Sequence, residues 1–267
     1  MPGEIVTRGC APVVRYRDAA GQFHEGVLER VADEDLFGGV PVRQFRWFKG
    51  RRFYSGWYWS ATTGGLVAYE SRLELARILL ADFDSEVTSI AAQPFLLSGF
   101  DGDRLRSHVP DLLLRSGSGL VTVVDVKPVH RLGDPEVQAV FGWTERTVAA
   151  RGWDFEVWSG AEAVLVENVR FLAGYRRPYT VETALLPLAV DAARCCDTIG
   201  GLEYALRSAA VAVIARAVIL HLLWTGVLVT DLSTPLSASS RIWIGEGVTD
   251  DRFCDQRRAG FEAVVRR

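Results

Sequence analysis

The chain has 267 residues, of which 49% are apolar and 24% charged. That balance excludes disorder, a collagen-like repeat and a disulfide-dense mini-scaffold, and at about 150 residues per domain it allows one large domain or two modest ones. Thirty basic residues against 33 acidic ones give a net charge of −3, so no global basic field exists to hold nucleic acid and any such binding must come from local patches.

Residues 1–65 read as strand and turn material. The first ten carry Glu4 and Arg8 and lack the apolar core of a secretory signal, which points to an intracellular, cytoplasmic protein. The four cysteines, Cys10, Cys195, Cys196 and Cys254, form no C-x-x-C and are expected to be reduced thiols. Between positions 41 and 60 stand five basic residues, Arg43, Arg46, Lys49, Arg51 and Arg52, interleaved with eight aromatic ones and no acid. Cations mixed with flat rings can hold phosphates while bases pack on the rings, so these five are candidate DNA-binding residues. A twisted hairpin with a ring-filled core and solvated arginines is the competing reading.

Residues 66–178 alternate helix and strand signals. Leu73, Ala76 and Leu80 recur at three- and four-residue steps and predict a helix over 69–83 with one buried face. Extended runs follow at 91–97, 108–114 and 120–127, separated by the turns Asp101-Gly102 and Gly117-Ser118-Gly119. Pro128 ends the last of them. Asp134 as N-cap and Pro135 at the first helical position open a helix to about Arg151, and a short strand over 155–158 completes the order helix, strand, strand, strand, helix, strand.

The chemistry concentrates in this zone. Pro110-Asp111 is followed after thirteen residues by Asp125-Val126-Lys127. The side-chain period of two puts Asp125 and Lys127 on one face of a strand, and the Gly117 turn lays Asp111 on the antiparallel neighbour. Two carboxylates about 4 Å apart repel by roughly 4 kcal/mol at an effective dielectric of 20, and Lys127 supplies only one compensating charge. A divalent ion with oxygen ligands completes the balance. Mg²⁺, with Mn²⁺ as a substitute, suits such a site and would activate a water against a phosphodiester, with Lys127 orienting that water or stabilising the developing charge. Glu70 and Glu74 share a helix face, so either can supply a further carboxylate, with Arg77 beside Glu74. A solvent-exposed Asp125–Lys127 pair is the plain structural alternative, disfavoured by the flanking Val123, Val124 and Val126. His108 and His130 bracket the site, in reach of phosphate or simply structural. No G-x-x-x-x-G-K-[ST], G-x-S-x-G or H-E-x-x-H occurs in the chain.

Taken in order, Ser71-Arg72-Leu73-Glu74, Gln93-Pro94-Phe95, His108-Val109-Pro110-Asp111, Val124-Asp125-Val126-Lys127-Pro128 and the stretch from Trp153 to Trp158 resemble the TnsA-type endonuclease subunit of heteromeric transposases. The resemblance spans residues 66–178. It implies an α/β, restriction-endonuclease-like PD-(D/E)xK fold, a mixed sheet flanked by helices, that cuts DNA at the 5′ transposon ends with Mg²⁺ beside a DDE-type transposase subunit and an AAA-type ATPase regulator. Carried over, Glu74 is the helix carboxylate, Asp111 the central metal ligand and Lys127 the strand lysine. Asp125 stands at a position that varies across the nuclease class, and the Val126 carbonyl is a further ligand. A stand-alone PD-(D/E)xK restriction or repair nuclease, or a non-catalytic DNA-binding assembly module, remain alternatives.

Residues 179–267 read as mainly helical, with a turn at Gly200-Gly201. The apolar run 209–229 holds Arg216 near its middle and Gly226 near its end, which predicts a buried helix and no membrane span. Extended pieces over 227–230 and 241–244 resemble a two-stranded wing, so a mainly α, winged-helix-like C-terminal domain is expected after a boundary near Pro178, behind a nuclease domain over 1–178 whose first 65 residues are an extension.

Overall fold

A computed structural model describes residues 11–43 and 54–245. Two compact units divide the chain, Met1–Ala161 and Glu162–Arg267, so the division falls well before Pro178. The physical reason is the helix that begins at Ala163. Its Val169 and Leu172 are fully buried, and it packs on the long apolar helix of the C-terminal unit.

The first unit contains, in chain order, strands Val13–Arg17 (β1) and Phe23–Val27 (β2), a short helix Asp33–Phe37 (α1), strands Gly56–Trp59 (β3) and Leu66–Tyr69 (β4), and helix Arg72–Phe83 (α2). Strands Val87–Ala92 (β5), Phe95–Asp101 (β6), Arg104–His108 (β7), Leu112–Ser116 (β8) and Val121–Val126 (β9) follow, then helix Pro135–Ala149 (α3) and strand Asp154–Trp158 (β10). One sheet has the order β2-β1-β6-β7, a second β10-β9-β8-β5, and β3 and β4 form a separate hairpin. Among the described residues all pairings are antiparallel except β9 with β10, whose parallel alignment needs the crossover that α3 provides.

Two of the expected strands are each two strands. The run over 91–97 breaks at Gln93-Pro94, and the run over 108–114 breaks at Val109-Pro110-Asp111. Proline brings no N–H to a ladder and restricts the residue before it. At both places the chain leaves one sheet for the other, and Gln93 adopts a left-handed φ of 45°, a conformation a non-glycine residue rarely takes. With the β6–β7 hairpin set aside as an excursion, the remaining order α2, β5, β8, β9, α3, β10 is the expected one.

The core of this unit gathers Phe95, Leu97, Leu113, Val121, Val123, Trp143, Val148 and Trp153 with Val14, Leu28, Val31 and Leu36. The N-terminal residues expected as an extension thus pair with β6 through β1 and fill the same core. The α2 helix departs from a single apolar stripe, since Ala76, Ile78, Leu79, Ala81 and Asp82 are all buried. It packs on β5 and β9 and is covered by β4. Asp82 ties that cover down, accepting from Tyr58 Oη at 2.7 Å, Ser60 Oγ at 2.6 Å and the backbone N–H groups of Ala61 and Thr62 at 3.1 and 2.8 Å.

The second unit is mainly helical: Ala163–Leu172 (α4), Leu186–Ala193 (α5), Ile199–Ala205 (α6) and Ala212–Trp224 (α7), followed by the antiparallel pair Leu228–Thr230 (β11) and Ile242–Ile244 (β12). Gly226 leaves α7 with a φ of 71°, the left-handed helix exit that glycine tolerates. Arg216 reaches Glu203 of α6 through both Nε and Nη2. His221 is 2% exposed, with Nδ1 2.7 Å from the Tyr175 carbonyl oxygen. Buried Asn168 holds the loop after β11 by donating to the carbonyls of Leu232 and Thr234 at 2.9 and 2.8 Å. Among the described residues no helix is long and apolar enough to cross a membrane.

Candidate active site

Regular pairing of β8 with β9 starts at Leu112, opposite Val124. Carried one residue back, that register sets Asp111 opposite Asp125, as the spacing in the sequence implied. Pro110 brings no N–H to this end of the strand, and the Asp111 side chain binds the neighbouring strand directly: its Oδ2 accepts the backbone N–H of Val126 at 2.7 Å. On the other side, the Gln93 N–H donates to the Asp111 carbonyl at 2.9 Å. Gln93, Asp111 and Asp125 therefore stand in one row across the ends of β5, β8 and β9.

Asp125 shares a face with Val121 and Val123, which lie in the core, and is itself only 2% exposed. The His108 ring satisfies it, with Nε2 2.8 Å from each of its two carboxylate oxygens. His108 stands edge-on to Phe141 of α3, with ring centroids 6.3 Å apart. The same Phe141 ring lies 5.8 Å from Lys127 Nζ, so the amine, the imidazole and Asp125 occupy one side of the sheet. The Lys127 N–H extends the β9–β10 ladder to the Trp158 carbonyl at 2.9 Å, which fixes the backbone from which the amine projects.

Glu74 arrives from the first turn of α2. Ser71 caps that helix by accepting the Glu74 N–H at 3.0 Å, and Glu74 Oε2 reaches back to the Glu70 N–H at 2.8 Å. Ser71 caps as the S-x-x-E spacing implies, but Glu74 reaches past it to Glu70, which precedes the helix and does not share its face as expected; the bond gives Glu74 a structural task besides any chemical one. Glu70 lies 3.8 Å from Arg43 Nη1. Arg77 turns away from Glu74 and forks onto Glu156 of β10, with Nε–Oε1 at 3.0 Å and Nη2–Oε2 at 2.7 Å.

The electrostatics single out Asp111. Burial, then the charges of Glu74 and Asp125, push its carboxyl up to about 7, against partial relief from the Val126 N–H and Lys127. Burial also raises Glu74. Like charges held together in a shielded place disfavour ionisation, and displaced carboxyls of this kind are a feature of functional sites.

Among the described residues no three His, Cys, Asp or Glu side chains form a preassembled metal cage. A Mg²⁺ ion asks for less, since it takes one or two carboxylates and completes its octahedron with water and phosphate oxygens. Asp111 fits that demand, with Asp125 opposite it in the register and Glu74 on α2 as further oxygen donors whose charges both bear on Asp111. Val126 is tied to the same point through its N–H.

Of the candidates for binding DNA, Arg43 stands 3.8 Å from Glu70, while Arg46, Lys49, Arg51 and Arg52 lie outside the described residues, as do Cys10 and Cys254. His130 is exposed on the short turn Val129–Arg131, whereas His108 is in contact with Asp125. Gln93 entered the sequence reading only through the Gln93-Pro94-Phe95 motif, with no role assigned to it, and its Oε1 is buried without a partner among the described residues.

No protein-family model matches the chain. No curated protein matches it either.

Proposed function

We propose that this chain is a Mg²⁺-dependent DNA endonuclease of the PD-(D/E)xK class, acting as the TnsA-type subunit of a heteromeric transposase at the 5′ transposon ends, with a DDE-type transposase subunit and an AAA-type ATPase regulator as partners. The observation that carries the reading is the row in which Asp111 faces Asp125, with Lys127 on the same side and the Asp111 carboxyl displaced to about 7.

On this reading Asp111 and Asp125 would hold the ion, and Glu74 would add a carboxylate from α2. A Mg²⁺ ion held there would supply polarisation of the scissile phosphate and a water of lowered pKa. The protein's own contribution is placement. Val126 fixes Asp111 through its N–H, and the ladder to Trp158 fixes Lys127. The Lys127 ammonium is then available to orient the attacking water or to stabilise charge on the phosphate oxygens. The β11–β12 pair behind α7 supports a winged-helix-like role for the second unit in contacts with the partner subunits.

The test is nicking of transposon-end DNA by the purified chain with its partner subunits in Mg²⁺. Cleavage that persists undiminished in both Asp111→Ala and Lys127→Ala refutes the assignment.

A further inference from the structure

His108 reaches the site from β7, in the sheet that does not hold the carboxylates. Its Nε2 stands at equal distances of 2.8 Å from both oxygens of Asp125. A carboxylate accepts, so Nε2 is the donor. One N–H shared by both oxygens lies along the bisector of the carboxylate, the direction from which a cation would bind both oxygens at once. The ring has little freedom to leave: its side chain is 17% exposed, that of Asp125 3%, and Phe141 stands edge-on against it.

We propose that His108 makes Asp125 a one-oxygen ligand and thereby sets the site's preference for a small divalent ion over a large one. The inference rests on the nuclease reading for the presence of a cation and goes beyond it in assigning selectivity. Mg²⁺ accepts carboxylates one oxygen at a time in a tight octahedron, whereas Ca²⁺ takes six to eight oxygens at longer distances and commonly engages both oxygens of a carboxylate. Closing the two-oxygen approach to Asp125 costs Ca²⁺ a ligand and Mg²⁺ none. His108 is thus a positioning residue, acting through Asp125.

The experiment is calorimetric titration of the full chain with Mg²⁺ and, separately, Ca²⁺, comparing wild type with three variants. His108→Ala removes the donor, His108→Phe removes it while keeping ring volume against Phe141, and His108→Gln retains an N–H. The affinity ratio of Mg²⁺ to Ca²⁺ is expected to move about tenfold toward Ca²⁺ in the first two, the low end for losing a group that orients a metal ligand, and to stay within about threefold of wild type in the third. A purely structural histidine lowers stability without moving the ratio, so an unchanged ratio in His108→Ala and His108→Phe overturns the proposal. A wild-type chain that binds neither ion overturns it together with the cation site. If the ratio moves as expected while no condition yields DNA cleavage, the role of His108 stands and the nuclease reading fails.

Discussion

Asp111→Asn should make the metal-free protein more stable. In the unfolded chain this carboxyl titrates near 3.8, and in the folded protein near 7. Below 3.8 both states are protonated and the group is neutral to folding. As pH rises from there to 7 only the unfolded state gives up its proton, so stability falls, and above 7 the cost is complete. At about 1.4 kcal/mol per pH unit, the cost is roughly 1.5 kcal/mol at pH 5 and about 4 kcal/mol at pH 8. Asparagine has similar shape, keeps an oxygen for the Val126 N–H and carries no charge, so it escapes this cost. Urea unfolding of wild type and Asp111→Asn in chelator should therefore show the variant ahead by up to about 4 kcal/mol at pH 8, shrinking by about 2.5 kcal/mol at pH 5. Adding Mg²⁺ at a hundred times its Kd should return about 2.7 kcal/mol to wild type alone. A variant no more stable than wild type at pH 8, or a difference that ignores pH, refutes the claim that Asp111 is held against its charge.

Lys127→Met should abolish Mg²⁺-dependent nicking while leaving the Mg²⁺ affinity measured by calorimetry within a few-fold of wild type, because the amine is assigned to water and phosphate and not to the ion. Asp82→Ala should destabilise the first unit by about 3 kcal/mol in chemical unfolding, since it strands the buried Tyr58 and Ser60 hydroxyls and two backbone donors. His221 is buried and its pKa is lowered by that burial. Its stabilising share is complete above about pH 6.5 and drains away as pH falls from there toward the folded value. His221→Leu should flatten this acid-side loss, read as the pH dependence of the melting temperature between pH 7 and 5.

What could be read from the sequence followed what is local. Ser71 as a cap, Asp134-Pro135 as a helix start and the alternation around Asp125 each carry their signal within a few residues, and α2, α3 and β9 lie where they were expected. The pairing of Asp111 with Asp125 was legible because a short turn leaves an antiparallel neighbour few registers. The sheet change at Gln93-Pro94 was not, since Ala91, Ala92, Phe95 and Leu97 are buried on both sides of the break and hydrophobicity runs through it uninterrupted. Only the proline marked it. The contact of His108 with Asp125 joins two sheets, and no spacing within the chain encodes it. Asp82 was similarly hidden, an acid on an apolar helix whose four donors come from β3 and the turn after it.

The β6–β7 hairpin leaves the carboxylate-bearing sheet after β5 and returns to it at β8, and the N-terminal strands attach to that detour. The base of the hairpin is fixed by the two sheets, and its tip leans on α3 through Asp101–Arg146 at 2.9 Å and Arg104–Glu136 at 3.1 Å. At the turn nothing lies within 4 Å of Gly102, whose φ of 62° suits glycine, so a flexible peptide inserted after it is expected to leave Asp111 and Asp125 in place. One residue inserted between His108 and Asp111 shifts the imidazole past its carboxylate. Added length should therefore disturb the carboxylates less at the tip of this hairpin than at its base.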